Sequence, residues 1–325
     1  MRQSTKYGGI IQHIHGLIEQ GRLQPGDKIP SISEVSGALG VARETAVKAY
    51  KILKQEGLID SVPGKGFFLL TDRISRGARI LLILNSFNPY MQVLYNAFSS
   101  ALPEGVRADV YFHHNSYDIL RSLLETTRSR YTHCIVKPFH GDSVRRLLEK
   151  LEPAKTLILD RGDYRPEGCS WICQDFSEGF KDALSGLGNR ISAYESLNLI
   201  RARNNPHPEE SFVAFKAFLS EQAVPGQVID GFNEKEIKKG GAYILLTEQD
   251  LVSLLSFLSE KGWIPGKDVG ILSYNDFPLL RYVSGGISSL SVDFRQMGER
   301  AAAFPEEREG IKDVLTPGLI LRSSF

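Results

Sequence analysis

The stretch Ser31-Ile-Ser-Glu-Val-Ser-Gly-Ala-Leu-Gly-Val-Ala-Arg-Glu-Thr-Ala-Val-Lys-Ala-Tyr50 decides how the first fifth of the chain folds. Ser31 can cap a helix while Glu34, three residues on, completes a capping box, and Gly40 supplies a left-handed stop after Leu39. A further helix is expected from about Ala42 to Gln55, burying Ala46, Ala49, Tyr50 and Leu53 and ending at Gly57. Working outward, Ile10, Ile14, Leu17 and Ile18 recur at helical spacing and stop at Gly21 and the turn around Pro25. On the other side, Leu58 to Val62 and Phe67 to Leu70 read as two short strands. They are joined by Pro63-Gly64-Lys65-Gly66, whose glycines permit positive φ in a tight turn. The prediction for residues 1–72 is three helices followed by a hairpin.

This segment carries ten basic side chains against seven acidic ones through residue 73, whereas the whole chain has a formal net charge of +1. Any surface for a polyanion must therefore be local. Its placement is informative. Arg43, Thr45 and Lys48 open the third helix, where side chains can meet base edges and phosphates in a major groove, and Lys65 sits at the hairpin tip. A solvated helix face is the bland reading of the same charges. The constellation of turn, helix and glycine-flanked lysine favours DNA.

The sequence Gly21-Arg-Leu-Gln-Pro-Gly-Asp-Lys-Ile-Pro-Ser31, with Leu39-Gly-Val-Ala-Arg-Glu-Thr45, Ala49-Tyr50, Glu56-Gly57-Leu58 and Gly64-Lys-Gly66-Phe67, resembles the DNA-binding domain of the GntR family over residues 7 to 70. The resemblance implies a winged helix-turn-helix in which Ser31, Arg43, Thr45 and the wing Gly64, Lys65 and Gly66 approach DNA. It departs in helix two, where Ile32-Ser33 stands in place of the arginine many members carry after the Pro-Ser pair.

Beyond a linker expected at 73–78, the texture changes to short apolar runs alternating with amphipathic helices: Arg79 to Leu84, Asp109 to Phe112, Cys134 to Val136, Thr156 to Leu159, Ile191 to Tyr194, Gln227 to Ile229, Tyr243 to Leu246 and Val269 to Ser273. Such alternation specifies parallel βαβ sheets covered on both faces. Two successive sets suggest an α/β domain of two lobes over 79–325, with a single barrel as runner-up. In open α/β sheets ligands collect beyond the carboxyl ends of strands. There stand Asn85-Ser-Phe-Asn88 and Tyr90, Lys137-Pro-Phe-His140, Asp160-Arg161, Gln174-Asp175-Phe176, Glu248-Gln-Asp250 and Asn275-Asp276. Amides, carboxylates and guanidinium interleaved with aromatics suit a polyol, whose hydroxyls need donors and acceptors while an aromatic face covers the C–H side. Candidate ligand contacts are Phe87, Asn88, Tyr90, Lys137, Phe139, Asp160, Arg161, Asp175, Phe176, Arg203, Asp250, Asn275 and Asp276. Asp160 and Asp175 serve equally well as helix caps, and Trp171 and Phe176 as core.

Leu159-Asp-Arg161, Asp175-Phe-Ser-Glu-Gly179, Gly262-Trp-Ile-Pro265 through Asp268-Val-Gly-Ile271, Ser273-Tyr-Asn-Asp276, Ile287-Ser-Ser-Leu290 with Met297-Gly298, and Leu319-Ile-Leu-Arg322-Ser follow one another in the order seen in LacI-type regulators. This half is similar to their periplasmic-binding-protein-like effector domain, and the pairing resembles the arabinose-repressor type of chimera. The resemblance implies a sugar sensor. Asn275-Asp276 and His207-Pro-Glu-Glu-Ser-Phe212 depart from the usual ligand-holding pattern. Arg203 is a candidate replacement for the displaced guanidinium.

Other classes find less support. There is no GxxxxGK[ST] loop, GxSxG elbow or HExxH pair, and no lysine motif of a pyridoxal-phosphate enzyme, so no catalytic residue and no cofactor is expected. His13/His15 and His113-His114 lack partners at metal spacing. The three cysteines read as reduced, buried thiols. No apolar stretch is long enough for a membrane span and the start lacks a signal peptide, so a cytoplasmic protein is expected. The function expected is a sugar-relieved repressor of carbohydrate-utilisation genes: a homodimer on a pseudo-palindromic operator, answering to a pentose, deoxyhexose or related sugar, or to a sugar phosphate. A large domain that is enzyme-like or only dimerises is the alternative.

Overall fold

The computed structural model describes residues 6–55, 58–70, 78–162, 164–202, 207–307 and 309–325. Arg203 and residues 73–77 of the expected linker lie outside them. The chain divides into two compact units, Met1–Arg76 and Gly77–Phe325.

In the small unit, helices α1 (Lys6–Glu19), α2 (Ile32–Leu39) and α3 (Arg43–Gln55) precede the antiparallel strands β1 (Ile59–Val62) and β2 (Gly66–Leu69). Ser31 caps α2 in the expected box: its hydroxyl accepts the Glu34 N–H at 3.2 Å and its own N–H donates to the Glu34 carboxylate at 2.6 Å. Gly40 closes α2 at φ 60°. Ile10, Ile14, Val35, Ala46, Ala49, Tyr50, Leu53 and Leu69 form one core. Ile32 packs against its margin, so the residue standing where an arginine was expected is used for burial. The Tyr50 hydroxyl donates to the Pro30 carbonyl, pinning the turn before α2 to α3.

The large unit is two lobes, each a six-stranded sheet. The first comprises β3 (Arg79–Leu84), α4 (Pro89–Ala101), β4 (Arg107–Phe112), α5 (Tyr117–Ser122), β5 (His133–Val136), α6 (Asp142–Leu148), β6 (Thr156–Asp160) and β7 (Ser170–Gln174). The second comprises α7 (Glu178–Ser185), β8 (Ser196–Arg201), α8 (Glu209–Glu221), β9 (Gly226–Asp230), β10 (Gly241–Leu245), α9 (Glu248–Lys261), β11 (Gly270–Tyr274) and β12 (Ser288–Ser291). The chain then returns through α10 (Phe294–Ala303) and β13 (Lys312–Leu315) to lobe one, and ends with β14 (Gly318–Ile320) on lobe two. Strand orders are β13-β7-β6-β5-β3-β4 and β14-β12-β11-β10-β8-β9, parallel except for β14. The barrel is thereby replaced by two open sheets. Three crossings join the lobes, at 174–178, 291–294 and 315–318.

Runs such as Ile80-Leu-Leu-Ile-Leu84 are buried on both faces, as a central parallel strand requires. The fifth expected strand is corrected. Residues 188–193 form a tight 3-10 turn whose Ile191 packs into the core beside Tyr194, and the strand is β8, five residues later. Its buried Asn198 donates to Ser196 and to the Ala242 carbonyl, which is how a polar residue sits mid-strand. The apolar-run criterion also passed over β7, β12, β13 and β14. Where α10 crosses α4, a Cβ on Gly298 would stand 2.3 Å from the Leu94 carbonyl oxygen, so glycine sets that approach.

Candidate functional site

On the small unit, Arg43, Glu44, Val47, Lys48 and Lys51 form the exposed face of α3, with Thr45 half-buried beside it. The Lys48 ammonium lies 4.8 Å over the Tyr7 ring, so α1 steadies it. Lys54 is spent on Asp60 and Ser61, at 2.7 Å each. The hairpin turns through Gly64 at φ 74° and Gly66 at φ 110°, presenting Lys65. A Cβ on Gly66 would press to 3.0 Å on the Lys28 side chain. Lys28 is therefore a second cation at the hairpin, which sequence reading did not single out.

In the large unit the carboxyl ends of both sheets face one cavity of about 50 Å³, lined by Asn85, Tyr90, Asn115, Lys137, Pro138, Phe139, Asp160, Arg161, Gln174, Phe176, His207, Pro208, Leu246, Tyr274 and Asn275. Seven expected contacts meet there: Tyr90, Lys137, Phe139, Asp160, Arg161, Phe176 and Asn275.

At its centre the Lys137 ammonium sits 2.5 Å from Asp160, the two side chains 8% and 4% exposed. The Gln174 amide donates to the other Asp160 oxygen at 2.5 Å, and the Tyr274 hydroxyl donates to Gln174 at 3.2 Å, a relay from lobe one through the crossing to lobe two. Burial by itself would neutralise both ions. The attraction between them, with their hydrogen bonds, outweighs it, so Asp160 stays below and Lys137 above its ordinary pKa. Burial raises the Tyr90 and Tyr274 phenols. It also pushes His207 down to about 3, with the nearby Arg161 adding to the effect, so that imidazole is neutral. His207 is walled by Phe176, Phe212 and Tyr274, with ring centroids 4.8–5.9 Å away. Asp160 and Asn275, at the ends of β6 and β11, hold left-handed backbones at φ 71° and 73°. Such conformations in non-glycine residues concentrate at functional positions.

Three polar atoms of this lining, Asn85 Oδ1, Asn275 Oδ1 and His207 Nε2, are buried and make no hydrogen bond among the described residues. Each such atom costs about 1–3 kcal/mol unless something bonds it.

Five expected contacts lie outside the lining. Phe87 is 54% exposed and packs edge-on against Tyr95 and Phe112. Asn88 caps α4 through Met91 N–H, and Asp250 shares a cap box with Thr247. Asp175 accepts the Ser177 N–H at the first crossing. Asp276 is held bidentately by Arg322 at 2.7 and 2.9 Å. Each of these polar groups stands after a strand, but local backbone or ion pairing consumes it. Asp175 turns the chain just ahead of α7 without capping it, the N-cap being Ser177, whereas Asp160 faces the cavity. Conversely, Asn115, Pro138, His207, Pro208, Leu246 and Tyr274 were not singled out, nor were Asn85 and Gln174 chosen from the runs that contain them. Asn85, Gln174, Leu246 and Tyr274 sit at strand ends, where the carboxyl-edge rule finds them; His207 opens the stretch that departs from the usual ligand-holding pattern, which marks the position without assigning it a contact.

Residues 6–69 match the family model described as bacterial regulatory proteins, gntR family. The HTH-type transcriptional repressor YtrA of Bacillus subtilis is 37% identical over 83 residues, 25% of this chain and 60% of that protein. The chain thus spans less than two thirds of this relative's length. The large unit superposes on a LacI family transcriptional regulator from Silicibacter pomeroyi with TM-score 0.64 at 16% identity, covering 76% of this chain and 98% of that one. It also superposes on a LacI family transcriptional regulator from Lactobacillus casei with bound glucose, at TM-score 0.60 and 14% identity, covering 76% and 99%. The chain therefore joins a GntR-type helix-turn-helix domain to a two-lobed domain with the fold of LacI-family regulators.

Proposed function

We propose that this chain is a DNA-binding transcriptional regulator whose operator affinity is set by a sugar held between the two lobes of its large domain. The observation that carries the reading is the set of three buried polar atoms around one cavity, contributed by both lobes, that have no hydrogen-bond partner among the described residues. A ligand that satisfies them needs hydroxyls, which both donate and accept, on a compact frame with C–H faces for Tyr90, Phe139, Phe176 and Tyr274, which describes a monosaccharide such as a pentose or a deoxyhexose. The Lys137–Asp160 pair offers charge-assisted bonds to further hydroxyls. Because Lys137 is held protonated, it acts here as a fixed charge and not as a nucleophile, which favours sensing over catalysis. Glucose in the Lactobacillus casei regulator supports the same ligand class.

A cavity of about 50 Å³ has room for about four waters. The lobes must part to admit a sugar and then settle around it at a changed angle. Two copies pair through their large domains, presenting two α3 helices and two hairpins to a pseudo-palindromic operator. Arg43 and Thr45 meet base edges there. Ser31, Lys48 and the wing Gly64-Lys65-Gly66, flanked by Lys28, hold phosphates. Sugar releases the DNA, making the protein a repressor of carbohydrate-utilisation genes.

Thermal melting against pentoses, deoxyhexoses and their phosphates, followed by gel shift with those that bind, tests the reading. A sugar that both raises the melting temperature and displaces DNA is expected. No shift from any of them would overturn it.

A further inference from the structure

We propose that His113 is a positioning residue of the inter-lobe cavity, fixed in one tautomer so that its ring holds Asn115 and the segment after β5 in place to meet the ligand. The inference rests on the cavity being a ligand site. His113 directly follows β4 and is fully buried. The Asn115 N–H donates to its Nδ1 at 3.0 Å, and its Nε2 stands 2.9 Å from the Lys137 carbonyl oxygen. A backbone N–H can only donate and a carbonyl can only accept, so partner chemistry puts the proton on Nε2 and leaves Nδ1 bare. Burial, aided by the charge of Lys137 and the neighbouring His114, depresses the basicity of the ring and keeps it neutral.

The geometry around the ring gives this arrangement its purpose. His114 and Asn115 both adopt left-handed backbones, at φ 48° and 57°, a costly pair of consecutive residues to hold. Three bonds keep them there: His114 N–H to the Asn85 carbonyl at 2.8 Å, Ser116 N–H to the His113 carbonyl at 2.8 Å, and Asn115 N–H to the ring. The ring also packs at a tilt against Phe139, with centroids 5.1 Å apart. The imidazole thus ties the end of β4 to the segment after β5, and the His114 backbone adds the end of β3; Asn85, Asn115, Lys137 and Phe139 from these segments line the cavity.

The test separates the two ring nitrogens. In His113→Asn the amide oxygen takes the place of Nδ1 and keeps the bond from Asn115; in His113→Gln the amide nitrogen takes the place of Nε2 and keeps only the bond to Lys137. Long-range ¹H–¹⁵N spectra of the full-length protein should show Nε2 protonated and Nδ1 bare. Amide exchange at Asn115 should be slow in the wild type and His113→Asn and faster in His113→Gln. Neither readout needs a ligand. A proton on Nδ1, or equal exchange in the two variants, would overturn the proposal. Titration with L-arabinose, D-xylose, L-fucose and L-rhamnose adds the functional arm: for any that binds, His113→Gln should weaken binding about tenfold, the scale of one lost hydrogen bond, and His113→Asn by much less. If the exchange pattern holds and none of the four sugars binds, it is the sugar reading that fails, and the role of His113 in holding the loop stands.

Discussion

At the scale of single residues, the Lys137–Asp160 pair is the most consequential contact in the large domain. Replacing one member of a buried ion pair strands the other. Lys137→Met should therefore destabilise the domain by about 3–5 kcal/mol, read from urea midpoints, whereas an exposed lysine such as Lys150 should cost under about 0.5 kcal/mol when mutated to alanine. His207 makes a separate prediction for pH. Its folded pKa of about 3 lies below the ordinary 6.5, so the unfolded chain binds a proton first as the solution is acidified. The neutral ring's contribution is complete above pH 6.5 and shrinks as the pH falls toward 3. The wild type should consequently lose more stability between pH 7.5 and pH 4 than His207→Gln does. Equal losses would show that the ring is not buried in its neutral form.

At the scale of elements, legibility follows locality. The Ser31–Glu34 box and the Gly40 stop could be read directly because all their partners lie within a few residues. Ser31→Ala should cost about 1 kcal/mol of stability in thermal melts. Strand β12 was illegible for the opposite reason. Ser288-Ser-Leu-Ser291 looks like surface, yet it is buried because Ser288 pairs with the Arg322 backbone and Ser289 with Asp276, partners distant in sequence. The roles proposed for helix α3 and the hairpin on DNA are separable. Arg43→Ala should cost about 1–3 kcal/mol of operator affinity and relax preference at one base pair, whereas Lys65→Ala should weaken all sequences alike and reduce the salt slope by about one. Anisotropy titrations across salt concentrations distinguish the two.

At the scale of the molecule, alternation of apolar runs and helices specified parallel sheets and suggested two lobes, with a single barrel as the alternative that strand pairing, distant in sequence, decides against. The cavity was only half legible, because it gathers residues from Asn85 to Asn275, on both sides of the first chain crossing. Strand-end position alone does not say which polar groups are consumed locally, as Asn88, Asp175 and Asp250 are, and which are left without a partner among the described residues, as the side-chain oxygens of Asn85 and Asn275 are. Sensing by such a body is a matter of differential affinity. To shift operator binding about a hundredfold, the sugar must favour one lobe arrangement by about 2.7 kcal/mol, within reach of three buried polar atoms that have no partner among the described residues. The most direct measurement is fluorescence anisotropy on a duplex selected from random DNA by the full-length protein, with and without a saturating sugar already shown to raise its melting temperature. The account predicts that operator affinity falls about a hundredfold when the sugar is present. Superimposable binding curves would contradict it.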